Sequence, residues 1–438
     1  MTDDPSRRDV VAVVGAGFAG LTVASTLQQA GVDVVLIDAR PKVGGKVESE
    51  LDAMGRQVDT GGQFVCDDMP AVLALIARFG GRLVAVDHDR GGLGWVGGGG
   101  FTADPDAVWA AFEDAEVAFS AMSHLPDPPA GDRLSLADWF AAQGLDPIVH
   151  LAAHSVFNGV MCTEIADLPL AHVIDLVRRT PLTGEELQYV VAGTMHAVAE
   201  DLAATLHHPP LLGNPVRAVE VGEFAVSVIA DHGTVAADHL VLAVPPSALA
   251  GIAIDPPLPQ RVQAAAAAFR PGSVMKFMLR YERAFWSDAD VGPTRAWLEP
   301  RGLYVGDASI DDVPMLVGFL GGPTTAEWRS LGAAARRRAL LDHLVEAYGA
   351  EAGHPTSFVE RDWCPDDWGG GGYWNVLLDH AQHDAVEVLR GGAPGITFAS
   401  TELAPTFPGY VEGAITAGRD AAERVLRSLG RVCQSDEP

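Results

Sequence analysis

The stretch that decides the fold is Val10-Val-Ala-Val-Val14-Gly15-Ala-Gly17-Phe-Ala-Gly20, continuing to Ala30 and then through Val32-Asp-Val-Val-Leu-Ile37 to Asp38. A short β-branched run, a glycine-spaced turn, a helix-length segment and a second β-branched run read as strand, turn, helix, strand. The glycines follow the G-x-G-x-x-G spacing, and Asp38 stands 21 residues beyond Gly17. In that setting each residue has a mechanical reason: Gly15 makes the tight turn, Gly17 lets a diphosphate approach the backbone, and Gly20 lets helix pack on strand. Phe18 and Ala19 lie between them in the cofactor-binding turn, and Asp38 can accept from a ribose hydroxyl. Ala39 and Arg40 complete the candidate set at this end.

Moving outward, Arg40-Pro-Lys-Val-Gly44-Gly45-Lys46-Val and Asp59-Thr-Gly61-Gly62-Gln63-Phe64 add two glycine doublets directly after the ribose acid. Paired glycines imply close backbone approach twice over. A bare Rossmann unit serves NAD and FAD alike, and this segment separates them. Here the sequence resembles the flavin-containing amine oxidase family, whose first doublet carries an arginine where Lys46 stands and touches the FAD diphosphate. Gly45, Lys46, Gly61, Gly62 and Gln63 are therefore expected at the cofactor.

Later segments carry the same resemblance. Gly193-Thr-Met195-His is similar to the family's return helix, and Asn214-Pro-Val216 to its adenine side, with Val216 at the position of a main-chain adenine contact. Near the C-terminus, Gly395-Ile-Thr-Phe-Ala-Ser400-Thr401-Glu402 reads as strand into turn, with Ser400 where the family has glycine. Phe407-Pro-Gly409-Tyr410-Val411 reads as turn into helix. The N–H groups that open that helix, Val411 foremost, are expected to face the flavin and favour its anionic reduced form. Thr401, Glu402, Tyr410 and Val411 join the expected cofactor contacts.

The resemblance also implies the chemistry. Lys276, in Gly272-Ser-Val-Met-Lys276-Phe, falls on the monoamine oxidase lysine that holds a water against flavin N5. Trp368-Gly369-Gly-Gly-Gly372-Tyr373-Trp374 is similar to the loop in which a flavin-linked cysteine precedes a tyrosine. Gly372 takes the cysteine's place, so FAD is expected to bind without a covalent link. Tyr373 and Tyr410 match the two phenols of the family's aromatic cage, and Phe64 and Trp374 are expected to line the substrate pocket beside them. Either tyrosine alone would read as an ordinary core aromatic; both in matched motifs favour the cage. Asp67 and Asp68 precede Met69-Pro70, where one of them is expected as a helix N-cap.

Composition bounds the rest. The chain has 438 residues, 48% of them hydrophobic and 20% charged, which suits a globular protein too long for one simple core. Acids outnumber bases 58 to 30 for a formal charge of −28, and such a field repels nucleic acid. Lys42, Lys46 and Lys276 are the only lysines. Cys66, Cys162, Cys364 and Cys433 are scattered without a C-x-x-C, so free thiols and a reducing, cytoplasmic setting are expected. Ser6-Arg7-Arg8 resembles an export signal, but the apolar run behind it is read as the first strand. No membrane partner and no metal site are expected, and a homodimer is left open.

The expected architecture is α/β: a Rossmann-type FAD domain from residues 7–86, 193–248 and 392–430, interleaved with a substrate domain of mixed sheet and helices from 87–192 and 249–391. The expected activity is FAD-dependent amine oxidation. Hydride leaves the carbon alpha to a small-molecule amine's nitrogen, an imine forms, and O2 yields hydrogen peroxide. A desaturase or tailoring oxidase of the same superfamily is the alternative within flavoenzymes, and a non-catalytic flavin-binding protein the alternative outside them. Amino-acid oxidases of the family carry an arginine soon after the second doublet. Here none follows until Arg78, which favours amines without an alpha carboxylate.

Overall fold

The computed structural model describes residues 9–86, 94–95, 105–129, 131–288, 295–299 and 303–431. The Ser6-Arg7-Arg8 run, the glycine run 97–100 and Cys433 lie outside them.

Val10–Val14 is a strand flanked on both sides by parallel partners, in the order Asp33–Ile37, Val10–Val14, His239–Leu242, Ile396–Phe398. Its side chains alternate between two cores. Val11 and Val13 pack with Leu21 and Leu27 of the helix Phe18–Gln29 and with Ile415 and Val425 of the C-terminal helix Val411–Ser428. Ala12 and Val14 pack on the other face with Val219, Val228 and Phe398. Burial on both faces is why this strand reads as an unbroken apolar run and not as an alternating one.

The second core is closed by an antiparallel meander, Val216–Val221, Val226–Ala230 and Gly233–Ala237, with Ala253–Asp255 added in parallel at its edge. Leu377, Ala385 and Leu389, far along the chain, also pack into it.

A second sheet of six strands runs in the order Ser357–Asp362, Val274–Arg280, Met315–Gly321, Leu303–Asp307, Arg295–Glu299, Gly94–Trp95. Strand alternation again sorts residues: Met275, Phe277 and Leu279 face the helix Ala333–Tyr348 through Leu340 and Leu344, whereas Met278 faces Val58 and Val317. Lys276 shares the parity of Met278 and so points toward the nucleotide half. Four helices, Pro105–Ala121, Leu136–Ala142, Pro147–Val160 and Leu170–Arg179, make a further core that takes in Trp374 and Val376. Ser135 and Asp138 form a reciprocal capping box on the second of these. No helix among the described residues is long and apolar enough to cross a membrane.

The capping of the helix Pro70–Arg78 differs from expectation. Its N-cap is Met69, with Pro70 in the first turn, and neither Asp67 nor Asp68 caps it. Asp68 instead accepts from the Thr183 N–H and hydroxyl. Asp67 takes the Gln188 amide and the Tyr189 hydroxyl. The free N–H groups of Ala71 and Val72 are met from 340 residues away by Glu412, whose buried carboxylate accepts both at 3.1 and 2.8 Å. A carboxylate at a helix N-terminus is favoured by the dipole whatever its place in the chain, which is why local spacing pointed to the wrong acid.

Candidate functional site

The turn after the first strand shows two of the glycine roles the spacing implies directly in its packing. Gly15 holds φ +107°, a region L residues avoid, and a Cβ there would lie 2.3 Å from the Ala243 carbonyl oxygen. At Gly20 a Cβ would lie 1.8 Å from the Gly15 oxygen, so helix and turn are in contact. Gly17 is different: a Cβ there would meet the Gly45 Cα at 3.7 Å, an ordinary contact, so packing within the chain does not by itself demand glycine. Gly17 is also the N-cap of its helix and has no side-chain cap. The first-turn N–H groups at Phe18, Ala19 and Gly20 therefore have no partner in their own helix and can receive an anion.

Asp38 closes the unit by accepting from Ala16 N at 2.6 Å and Arg40 N at 2.7 Å. Each carboxylate oxygen keeps a further lone pair, so a ribose hydroxyl can still be received. Burial raises its pKa above the ordinary carboxylate value, and the two N–H bonds oppose that rise. Ala39 follows it, part-buried. Arg40 turns inward, donating to the Gly45 carbonyl and to Asp366, both at 2.7 Å. Arg361 ties Asp366 to Glu48, so the loop after the second strand is pinned to the turn at 366–369.

The doublets owe part of their glycine to chain-on-chain contact. A Cβ at Gly44 would lie 2.2 Å from the Val47 oxygen, one at Gly45 would lie 3.0 Å from the Gly17 Cα, and one at Gly61 would lie 2.2 Å from the Lys46 oxygen. Gly62 is looser, 3.4 Å from Val47. Lys46 donates to the Gly372 carbonyl at 2.7 Å, and burial lowers its pKa. Val216 opens the meander and is buried there.

Lys276 is 2% exposed, which excludes a surface lysine. Its Nζ donates to the carbonyls of Asp59 and Gly61, each at 2.7 Å, and to the Gln63 side-chain oxygen. An ammonium has three N–H donors, and all three are committed to the chain. In this arrangement the lysine anchors the second glycine doublet. Burial pushes its pKa down, while the Asp59 carboxylate nearby opposes that shift. Asp59 in turn accepts from Met195 N and His196 N at the start of the helix Met195–Ala204.

At the amine end, Tyr410 is the N-cap of the C-terminal helix, which has no side-chain cap, so the N–H groups at Val411 and beyond are open. Thr401 shapes this turn, accepting from Gly409 N and donating to the Tyr410 carbonyl. Glu402 is buried and accepts from Asn375 N at 2.7 Å. Tyr373 packs edge-on against Phe319, with ring centroids 6.0 Å apart, and Phe319 also touches Phe64 and Tyr304. Trp374 is buried between His172, 6.0 Å away by ring centroids, and Gly409, where a Cβ would lie 3.5 Å from the indole. A Cβ at Gly372 would lie 2.6 Å from the Cys162 Cβ and 2.7 Å from its Sγ, so no side chain fits there. Burial pushes the Cys162 thiol up to about 12, which keeps it protonated and inert.

One residue at this end has no forerunner in the motifs. Glu186 accepts from the Tyr410 hydroxyl at 2.8 Å, and its charge also bears on Tyr373. Together with burial it holds both phenols well above the ordinary tyrosine value. It lies in a segment without repeat or glycine signature, and no spacing rule could single it out.

The Ser400 hydroxyl is buried with no partner, two helices begin without a side-chain cap, and Gly17 is not required by packing within the chain. These features fit a dinucleotide-type cofactor. The comparisons agree. The model of the flavin containing amine oxidoreductase family matches residues 18–426, and the chain belongs to that family. It is 26% identical to an L-amino acid dehydrogenase of Synechocystis sp., covering 97% of this chain and 96% of that protein. It is 29% identical to the putrescine oxidase of Kocuria rosea, covering 96% and 95%. The solved structure of cyclohexylamine oxidase from Brevibacterium oxydans superposes with a TM-score of 0.85 at 24% identity, covering 97% of this chain and 100% of that one, which shows the fold.

Proposed function

We propose that the protein is an FAD-dependent amine oxidase holding its FAD without a covalent link. The observation that carries the reading is the hydrogen bond from the Tyr410 hydroxyl to Glu186, whose charge also bears on Tyr373, in a chain whose glycine turn leaves first-turn N–H groups for an anion. Bound FAD would supply the two-electron acceptor for hydride from the carbon alpha to nitrogen, with O2 as the final oxidant and hydrogen peroxide as product.

The chain's own residues do the rest. Gly17, Phe18, Ala19 and Gly20 would receive the diphosphate, and Asp38 the ribose. The open N–H groups at Val411 would lie against the ring system. Tyr373 and Tyr410 would hold the amine between them and, with Phe64 and Phe319, keep water out. Lys276 would keep the second doublet in place. Gly372, filled by Cys162, supports a non-covalent link. Arg78, which stacks on Phe79 at the surface, supports a substrate without an alpha carboxylate.

Anaerobic mixing with a panel of primary and secondary amines tests the reaction: bleaching of the flavin is expected, and a panel that leaves it yellow defeats the reading. Acid precipitation tests the link, with the flavin expected in the supernatant.

A further inference from the structure

Amine oxidation of this kind leaves one proton to be placed. An alkylamine has a pKa of about 10, like lysine, and meets the protein as an ammonium ion at neutral pH. Hydride departs from carbon beside a neutral nitrogen, so the cation must be held and then relieved of a proton. The cage phenols are poor bases for this. Burial and the nearby Glu186 hold Tyr373 and Tyr410 well above the ordinary tyrosine value, and both keep their own protons.

Glu186 has the right chemistry in the right place. Its Oε1 accepts from Tyr410 at 2.8 Å. The segment that carries it is fixed on both sides, by Asp68 on Thr183 at 2.7 Å and by Gln188 on the Asp67 N–H at 2.7 Å. A carboxylate offers about four acceptor sites, and one phenol occupies only one of them. The titratable groups around it are Tyr410 and Tyr373 across the cage, Cys66 behind, Glu185 beside it, and Asp67 and Asp68 beyond Cys66. These are neutral or anionic; the cation at this end, Lys276, lies on the Phe319 ring, 5.5 Å from its centroid, with its three donors held by Asp59, Gly61 and Gln63. The surroundings therefore attract a cation, and burial with Glu185 nearby raises Glu186 above the ordinary carboxylate value, against the Tyr410 hydrogen bond that lowers it.

We infer that Glu186 binds the substrate's ammonium group in the cage and accepts its proton before hydride leaves. The N–H bond breaks, the electron pair stays on nitrogen, an O–H bond forms on Glu186, and the carboxylate becomes a neutral acid. The inference rests on the amine oxidase reading, and its test separates the two.

The probe for turnover is benzylamine, or whichever panel amine bleaches the flavin fastest. The wild-type kcat/KM should be level between the pKa of Glu186 and that of the amine. In Glu186→Gln only the neutral amine can enter, so kcat/KM should climb about tenfold per pH unit, lying about 100-fold below wild type at pH 7 and approaching it near pH 9. Glu186→Asp should restore the level profile. The probe for binding is cumylamine, which has no alpha hydrogen and cannot be oxidised. Its binding at pH 7 should release about one proton in Glu186→Gln and almost none in wild type. A Gln variant slowed by one factor at every pH, or binding cumylamine without releasing a proton, overturns the inference and leaves amine oxidation standing. A wild type bleached by no amine overturns both.

Discussion

The two ends of the site are built from different material. At the dinucleotide end the surfaces are main chain: Gly15, Gly17 and Gly20 at one turn, Gly44, Gly45, Gly61 and Gly62 at two more. At the amine end they are side chains from four distant stretches, Glu186, Lys276, Tyr373 and Tyr410. Main-chain geometry tolerates only glycine at fixed spacings, so the first end leaves a mark in the sequence. Side chains converging from distant segments obey no spacing, and the second end leaves almost none.

Substitutions within the first end should separate packing from binding. Gly20→Ala should have the largest effect, because its methyl would sit on the Gly15 carbonyl oxygen. Backbone would have to move, at a cost of about 3 kcal/mol or more, and soluble yield should collapse. Gly17→Ala puts its methyl in ordinary contact with Gly45 and should leave a folded protein with little flavin, read as an absorbance ratio of flavin to protein. A Gly20→Ala protein as stable as wild type would break the contrast.

Lys276→Met comes next and tests whether the amine end also supports the other one. It leaves the Asp59 and Gly61 carbonyls and Gln63 buried without their donor, at about 1–3 kcal/mol for each acceptor left unpaired. Thermal unfolding should shift downward, flavin content should fall, and reoxidation of reduced flavin in stopped flow should slow through loss of the charge. Unchanged stability would return the lysine to a purely chemical role.

Within the cage, alanine at Tyr373 or Tyr410 should slow anaerobic flavin reduction by about 100-fold through lost orientation. Phenylalanine should cost little at 373 and more at 410, since Tyr410→Phe also removes the hydroxyl that Glu186 holds. Equal phenylalanine effects would mean the carboxylate has no part in the cage.

The smallest effect is on acid stability. Burial pushes His172 down to about 4, so between about 6.5 and 4 the unfolded chain binds the proton and the folded one does not. Stability is therefore full above about 6.5 and is lost as pH falls toward 4, by about 2 kcal/mol between pH 7 and pH 5. His172→Phe keeps an aromatic ring against Trp374 and should flatten that loss in unfolding midpoints taken at pH 5 and pH 7.

The same contrast governs how much the sequence disclosed. The Rossmann unit and the C-terminal strand and turn were legible because their periodicities and glycines are local. The two tyrosines were legible only through resemblance. Glu186 was not, and neither was the committed state of Lys276, because its partners are carbonyls and a glutamine more than 200 residues away. Asp67 and Asp68 misled for the same reason: the acid that serves their helix is Glu412.

That long reach also sets the order in which the molecule can be completed. The first strand emerges from the ribosome with one neighbour in hand, but its other flank waits for His239–Leu242, and its sheet is closed only by Ile396–Phe398. The helix Pro70–Arg78 likewise keeps open N–H groups until Glu412 arrives. Most of the chain must therefore be made before its opening segment has a finished home, the circumstance in which exposed apolar strands meet one another or a chaperone. A chain cut short before Glu412 would lose its beginning as well as its end.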